Sequence, residues 1–452
     1  MASREHLLKV GVSGIRGVVG PFLTPSLACA FAQAFGTYVG RGRVVVGRDT
    51  RASGEMLQHA VACGLLAAGC DVVDVGILPT PTIQMYAGSS GARGGIAVTA
   101  SHNPPEYNAL KLFNGSGLFF NNYERGELVD LYHQSDFRQA RNEEIGKVAV
   151  EAEAPAKDHV ARVLAQVDSA LIRRRRFRVA LDAVNGAGAF MSPAFLGETL
   201  GCDVAAMSVD PTLPFPREAE PRPEALAGLS ALVRARSSDV GFAQDPDADR
   251  LAVADESGRV LDGDDMLALV IDAALPRAAG DVVVNLSTSL VIDDVAARHG
   301  RRVHRAAVGE ANVVEVMQAV GAAIGGEGSS GGIIYPAVHL CRDSFTGMAL
   351  LLDAMARSGE TLSALAARLP RYFRRASQAP CESRRLGALM PMIEESFPGA
   401  SVDRSDGIKL LLADGWIHVR PSNTEPFVRI AVEAQSAERL EALYEKVLGL
   451  LE

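Results

Sequence analysis

The sequence predicts an α/β protein: three similar mixed α/β domains, their sheets flanked by helices, then a C-terminal α+β domain, all around a central cleft. Three observations lead there. Apolar residues make up 48% of the chain, with 44 glycines and only 6% aromatic residues, which suits many tight strand-to-helix turns. At 452 residues the chain exceeds what one core holds, which points to about three or four domains. A strand–turn–helix–strand unit also recurs three times, and each copy is followed by an unusual polar loop.

The first unit follows a short arm and GVSGIRGVVG (Gly11 to Gly20), a glycine-punctuated segment with a single cation, Arg16. Val44 to Val46 reads as a β-branched strand, a helix enters through Ser53 and runs to about Ala68, and Cys70 to Val75 returns as strand. In the second unit Val179 to Asp182 is strand, Ala183 to Gly188 a glycine-rich turn, Ala189 to Leu200 helix, and Gly201 to Val204 opens the next strand. The third runs from a strand at Asp281 to Leu286, through a helix ending near His299, to a strand at Arg302 to Arg305. Such units predict parallel strands buried on both faces. The polar loops lie at comparable distances from the first strand of their unit. TASHN follows by about 55 residues, QDPDADR (Gln244 to Arg250) by about 63, and GGEGSSGG (Gly325 to Gly332) by about 42. One cleft, into which three domains point their loops, accounts for that spacing.

The tail is of a different kind. Gly407 to Ala413 and Trp416 to Arg420 flank Asp414-Gly415, a hairpin signal. A strand to about Ala434 and an amphipathic helix from Ser436 to Leu451 follow. The domains read as 1–152, 153–256, 257–370 and 371–452, with Glu151 to Asp158 and Pro370 to Pro380 as linkers.

A net charge of −9 argues against general affinity for nucleic acid or anionic membrane. Arg173 to Arg176, the one basic run, reads as a solvated helix end. Six cysteines without CxxC pairing point to reduced thiols in a cytosol, and no segment reads as a signal peptide or bilayer span.

The chemistry concentrates in a few loops. Gly95 to Val98 reads as a buried strand that delivers Ser101 and His102 into a turn stopped by Asn103-Pro104-Pro105, with Lys111 ten positions beyond Ser101. Ser101 reads either as a group-transfer serine or as a turn serine capping the next element. Asp245, Asp247 and Asp249 alternate, and carboxylates crowded this closely call for a hard cation. An EF-hand is excluded because its obligatory glycine is Arg250 here, and the flanks read as strands. Glu327, among glycines and serines, suits vicinal hydroxyls or an amine, though a flexible turn fits as well. Arg420, Ser422, Asn423, Thr424 and Arg429 offer guanidinium, hydroxyl and amide groups suited to a phosphate dianion. His339, Arg342 and Asp343 form another polar cluster, with His339 read as an interior histidine. Arg48, Asp49 and Arg51 read as an ion-pair cluster supporting the first turn.

Together GVSGIRG, VGRDTRASGE, TASHNP with NALK, DPDADR, GGEGSSGG and RPSNTEP resemble the α-D-phosphohexomutase superfamily, in family order and across essentially the whole chain. The AVGEANVVEVM, GGEGSSGGIIYP and AVHLCRDS stretches are most similar to its phosphoglucosamine mutases; Gly331 stands where phosphomannomutase/phosphoglucomutases carry a histidine. The resemblance implies a phosphoserine at Ser101 on the first domain and a magnesium ion on the second, held by Asp245, Asp247, Asp249 and the phosphoserine oxygen. It implies Lys111 and Arg16 at the reacting phosphoryl group, with His102, Lys111 and Arg16 as alternative partners for the hydroxyl proton. Glu327 and Ser329 would grip sugar hydroxyls, while Arg420, Ser422, Asn423, Thr424 and Arg429 on a mobile fourth domain bind the distal phosphate. The implied reaction interconverts glucosamine 6-phosphate and glucosamine 1-phosphate through a sugar bisphosphate, with mannose or glucose phosphates as the alternative. The implied partners are a hexose or hexosamine phosphate and a bisphosphate activator, for a cytoplasmic monomer or dimer. A phosphatase with an aspartate nucleophile, or a sugar-phosphate-binding scaffold, are the readings from other classes.

Overall fold

In the computed structural model, residues 8–11, 14–381, 383–421 and 427–451 are described. The first sheet contains β1 (Leu8–Gly11), β2 (Gly14–Val18), β3 (Arg43–Arg48), β4 (Asp71–Ile77), β5 (Gly94–Val98), β6 (Tyr107–Asn114) and β7 (Val148–Val150). Its order is β1-β2-β6-β5-β3-β4-β7. The unbroken valine run of β3 is explained by what covers it. Val44 and Val46 pack with Phe35, Leu57 and Leu65 from two helices on one face. Val45 points the other way, against Ile83 and Ala87. A strand covered on both faces loses the usual apolar–polar alternation.

The second sheet holds β8 (Arg178–Asp182), β9 (Asp203–Met207), β10 (Val240–Gln244) and β11 (Leu251–Asp255), in the order β11-β10-β8-β9. The third holds β12 (Val282–Asn285), β13 (Val303–Ala306), β14 (Ile324–Glu327), β15 (Gly332–Tyr335) and β16 (His339–Arg342), in the order β13-β12-β14-β15-β16. The strand orders β6-β5-β3-β4, β11-β10-β8-β9 and β15-β14-β12-β13 are therefore one order written three times. All-parallel sheets do not form. In each copy the strand after the polar loop runs antiparallel: β6 on β5, β11 on β10 and β15 on β14. The connections 99–106, 245–250 and 328–331 are too short for a parallel crossover, so they can only reverse the chain.

The fourth sheet, wholly antiparallel, contains β17 (Phe373–Pro380), β18 (Ser401–Asp403), β19 (Ile408–Leu412), β20 (Gly415–Pro421) and β21 (Phe427–Ala434). Leu412 pairs with Gly415 across the expected hairpin. Pro370 to Pro380 is mostly strand and not linker: β17 pairs with β21 along its full length, from Phe373↔Ala434 to Pro380↔Phe427. An arginine-rich edge strand flanked by prolines has the composition of a linker. The other expected linker shrinks too, because the helix Ala154–Leu164 begins within it. The helix expected over 189–200 is an α-helix only over Gly188–Ala194, then widens into a π-helix over Phe195–Thr199.

The second and third domains share one apolar cluster, in which Leu181 and Phe242 belong with Val284, Ile324 and Leu350. A buried polar clasp joins the first three domains. His159 contacts Thr82 Oγ1 through Nδ1 at 2.8 Å and Asp343 Oδ2 through Nε2 at 3.1 Å. Asp343 in turn caps the helix Ser344–Ser358. The fourth domain keeps a separate core around Ile393, Ile417, Ile430 and Val447. A polar seam attaches it to the third: Ser287 to His418 at 2.9 Å, Asp406 Oδ2 to Val308 N at 3.1 Å, Glu433 Oε1 to Leu290 N at 2.8 Å, and Lys409 to the Leu286 carbonyl. Among the described residues no helix is long and apolar enough to cross a membrane.

Candidate active site

The Ser101 turn is built from a strand end and held from below. Ser101 has a φ of 49°, a left-handed conformation that a non-glycine residue adopts at a cost of about 1–3 kcal/mol. Its N–H donates to Thr99 Oγ1 at 2.9 Å, and Thr99 donates to Asp49 Oδ2 at 2.6 Å. Arg51, bonded to the same carboxylate, donates to the carbonyls of Ser101 and Asn103 at 2.6 Å, Pro104 at 2.7 Å and Tyr107 at 2.9 Å. The pair of Asp49 and Arg51 thus fixes the serine turn, whereas Arg48 turns away to Gln58. Ser101 Oγ is left facing Asp245 Oδ2 at 2.7 Å, with His102 Nδ1 at 3.4 Å. Arg16 donates to Asn103 Oδ1 at 2.6 Å.

β10 and β11 deliver the acidic loop between strands, as the sequence predicts. Asp245, Asp247 and Asp249 are all buried, each with a carboxylate oxygen within 4.8 Å of the others. Lys111 Nζ reaches Asp247 Oδ2 at 2.6 Å and Asp249 Oδ2 at 3.0 Å, while Thr80 Oγ1 donates to Asp247 Oδ2 at 2.6 Å. Arg342 adds a bond to Asp249 Oδ2 at 2.8 Å. Burial, then Asp247 and Asp249, push the Asp245 carboxyl well above its usual range. Burial opposes the charge on Asp249 also, but Arg342, Lys111 and Arg250 outweigh it and hold that carboxyl low. Among the described residues the Oδ1 atoms of Asp247 and Asp249 have no hydrogen-bond partner, although buried. Two orphaned carboxylate oxygens beside a third carboxylate that resists ionisation fit a hard divalent cation such as Mg²⁺.

Ser101 and Lys111 open onto a cavity of about 850 Å³, which Arg16, His102, Glu327, Ser329, Arg420 and Arg429 also line. Glu327 closes β14; its Oε1 accepts from Asn285 Nδ2 at 2.9 Å and Gly309 N at 2.8 Å. Arg420 and Arg429 stand opposite one another on β20 and β21. Ser422, Asn423 and Thr424 lie outside the described residues. Among the described residues eight cationic side chains and three glutamates line the cavity, so in an acidic chain this space is made for an anion.

Three contributors were not legible as site residues. Arg250 pairs with Glu220 at 2.9 Å, and both line the cavity. Thr80 fixes the central aspartate. Arg342 belongs to a cluster the sequence singles out, yet its partners there divide: His339 donates to the Gly117 carbonyl at 3.2 Å and Asp343 serves the clasp.

Four models describing phosphoglucomutase/phosphomannomutase match the chain: alpha/beta/alpha domain I over residues 7–139, domain II over 157–258, domain III over 262–373 and the C-terminal domain over 379–450. A Thermococcus kodakarensis protein named phosphoglucomutase/phosphomannomutase is 40% identical over 450 residues, 98% of each chain. A probable phosphoglucosamine mutase from Methanopyrus kandleri is 39% identical, over 98% of this chain and 97% of its own. Among solved structures, a phosphoglucomutase/phosphomannomutase family protein from Burkholderia thailandensis superposes with a TM-score of 0.87 at 28% identity, covering 100% of this chain and 98% of that one.

Proposed function

The chain belongs to the phosphoglucomutase/phosphomannomutase family of phosphohexomutases, and from that premise we propose that it interconverts glucosamine 6-phosphate and glucosamine 1-phosphate through a phosphoserine at Ser101 and a sugar bisphosphate. The observation that carries the mechanism is the 2.7 Å contact between Ser101 Oγ and Asp245, made at the wall of a cationic cavity. In the first half-reaction the phosphoryl group leaves Ser101 Oγ for the free hydroxyl of the bound monophosphate. The Oγ–P bond breaks, a sugar O–P bond forms, and the hydroxyl proton passes through a base of the cradle so that Ser101 ends as a hydroxyl. The bisphosphate then turns end for end, and its other phosphoryl group returns to Ser101 with the reverse proton movement.

Phosphoryl transfer asks chiefly for positioning and charge neutralisation. Lys111 is suited to the second task. Burial works against its ammonium, but Asp247 and Asp249 more than compensate and raise its pKa. A magnesium ion held by Asp245, Asp247, Asp249 and a Ser101 phosphate oxygen would add neutralising charge at the transferred group. Glu327 and Ser329 offer acceptors to the sugar, and Arg420 with Arg429 clamps whichever phosphate is remote from Ser101.

The choice of amino sugar leans on the Methanopyrus relative and on the sugar loop; the Thermococcus relative favours mannose or glucose phosphates as the second reading. Coupled assays on glucosamine, mannose and glucose 6-phosphates, each with a trace of hexose bisphosphate, decide between them, and glucosamine 6-phosphate ranking last overturns the first reading. Ser101→Ala should abolish turnover and remove any covalent phosphate seen by intact mass.

A further inference from the structure

We propose that Arg342 is a positioning residue that ties the divalent-cation site to the sugar-reading carboxylate, so that each ligand binds more tightly when the other is present. The inference deepens the function proposed above and rests on it. Arg342 ends β16 and meets carboxylates from three separate segments. Nη2 bonds Asp249 Oδ2 at 2.8 Å, Nη1 reaches Glu327 Oε2 at 3.4 Å, and Nε faces Glu310 Oε2 at 2.9 Å without hydrogen-bond alignment. The backbone N–H of Arg342 also donates to Glu310 Oε1 at 3.2 Å, so Glu310 braces the residue from behind. Arg342 is only 8% exposed, yet it borders the cavity.

The consequence for each site is orientation. With Arg342 and Lys111 on Asp249 Oδ2, the orphan Oδ1 is the atom left for a cation. With Asn285 and Gly309 on Glu327 Oε1, the other oxygen is the one Arg342 steadies. A guanidinium does this with two arms in one rigid plane, whereas an ammonium is a point donor that engages one carboxylate at a time. Whichever ligand arrives first orders the shared arginine, and the second then has less ordering left to do. The local sequence leaves room for this. A Cβ on Gly332 would come within 2.4 Å of Arg342 Cδ, so any larger residue there displaces the arginine.

The test uses full-length protein chelated free of metal and follows Mn²⁺ binding by electron paramagnetic resonance: alone, with inorganic phosphate, with glucosamine 6-phosphate and with glucose 6-phosphate. Inorganic phosphate reports the direct phosphate–cation contribution, and the sugar's extra gain reports the coupling. In the wild type that extra gain should be at least about fivefold, the low end of ordinary coupling between sites. In Arg342→Lys that extra gain, taken relative to the variant's own Mn²⁺ affinity without ligand, should fall below about twofold. Gly332→Ala, which perturbs the arginine without touching either carboxylate, should do the same and serves if Arg342→Lys fails to fold. An unchanged gain in a folded variant, or no gain in the wild type, overturns the inference. A gain seen with glucose 6-phosphate but not glucosamine 6-phosphate supports the coupling and sinks the amino-sugar reading instead.

Discussion

Replacing Arg51 separates what holds the chain folded from what holds Ser101 in place. The Arg51 guanidinium makes four bonds to carbonyls of the serine turn and one to Asp49, and neither charged group of the pair is exposed. Breaking a buried pair by removing one partner costs about 3–5 kcal/mol, and carbonyls stranded by the change add about 1–3 kcal/mol each where water cannot reach them. Burial already pushes the Asp49 carboxyl up with Arg51 present. In Arg51→Met it should take a proton, making that variant less stable as pH rises. Arg51→Lys keeps a charge for Asp49 but cannot span four carbonyls. We expect it to melt closer to wild type than Arg51→Met does, while kcat falls about 100-fold, the scale of a roughly 1 Å misplacement of a reacting group. Thermal melts followed by circular dichroism, with the coupled mutase assay on the same preparations, provide both readings. Wild-type kcat in Arg51→Lys would refute the argument that this arginine sets the serine.

Two further predictions concern the fourth domain. His418 donates from Nε2 to the Asp406 carbonyl at 2.8 Å and accepts from Ser287 through Nδ1, and burial first, with Lys409 and Arg420 adding to it, holds its pKa down to about 4. A lowered histidine pKa contributes stability above about pH 6.5 that is lost as pH falls toward 4, on the order of 3 kcal/mol in full; limited proteolysis at pH 7.5 and 5 should find the seam more readily cut in acid, and equal cutting would count against it. Asp264 is pushed up to about 6 by burial, despite its pairing with Arg374 of β17. Its contribution is therefore present below about pH 4 and lost as pH rises through 6, so Asp264→Asn should gain stability relative to wild type between pH 5 and 8; a melting difference independent of pH would contradict the assignment.

The Ser101 turn and the aspartate loop were legible because their composition is anomalous over a few residues, and nothing but chemistry explains three alternating aspartates between strands. Arg51 was legible only as one of an ion-pair cluster and Arg342 only as one of a polar cluster, because their other partners arrive from far along the chain: Arg51 bonds a carbonyl 50 positions away, and Arg342 a carboxylate 93 away. An apolar run reports that a strand is buried but not which way it runs, so the antiparallel fourth strand of each repeat escaped the reading. β17 escaped for the opposite reason. Its arginines read as solvated linker, yet only Arg375 stands outward, paired with Glu441, while Arg374 turns in to Asp264 of the third domain.

The thrice-written strand order also supplies the chain with its own ruler. Val98, Gln244 and Glu327 close the corresponding strands β5, β10 and β14 in the three sheets, so each lobe can be numbered against its two siblings with no outside sequence. The windows 99–106, 245–250 and 328–331 then behave as exchangeable cassettes on a common rack. Under the function proposed above, a library confined to them would vary catalysis, metal preference and sugar choice one at a time, leaving the sheets beneath untouched.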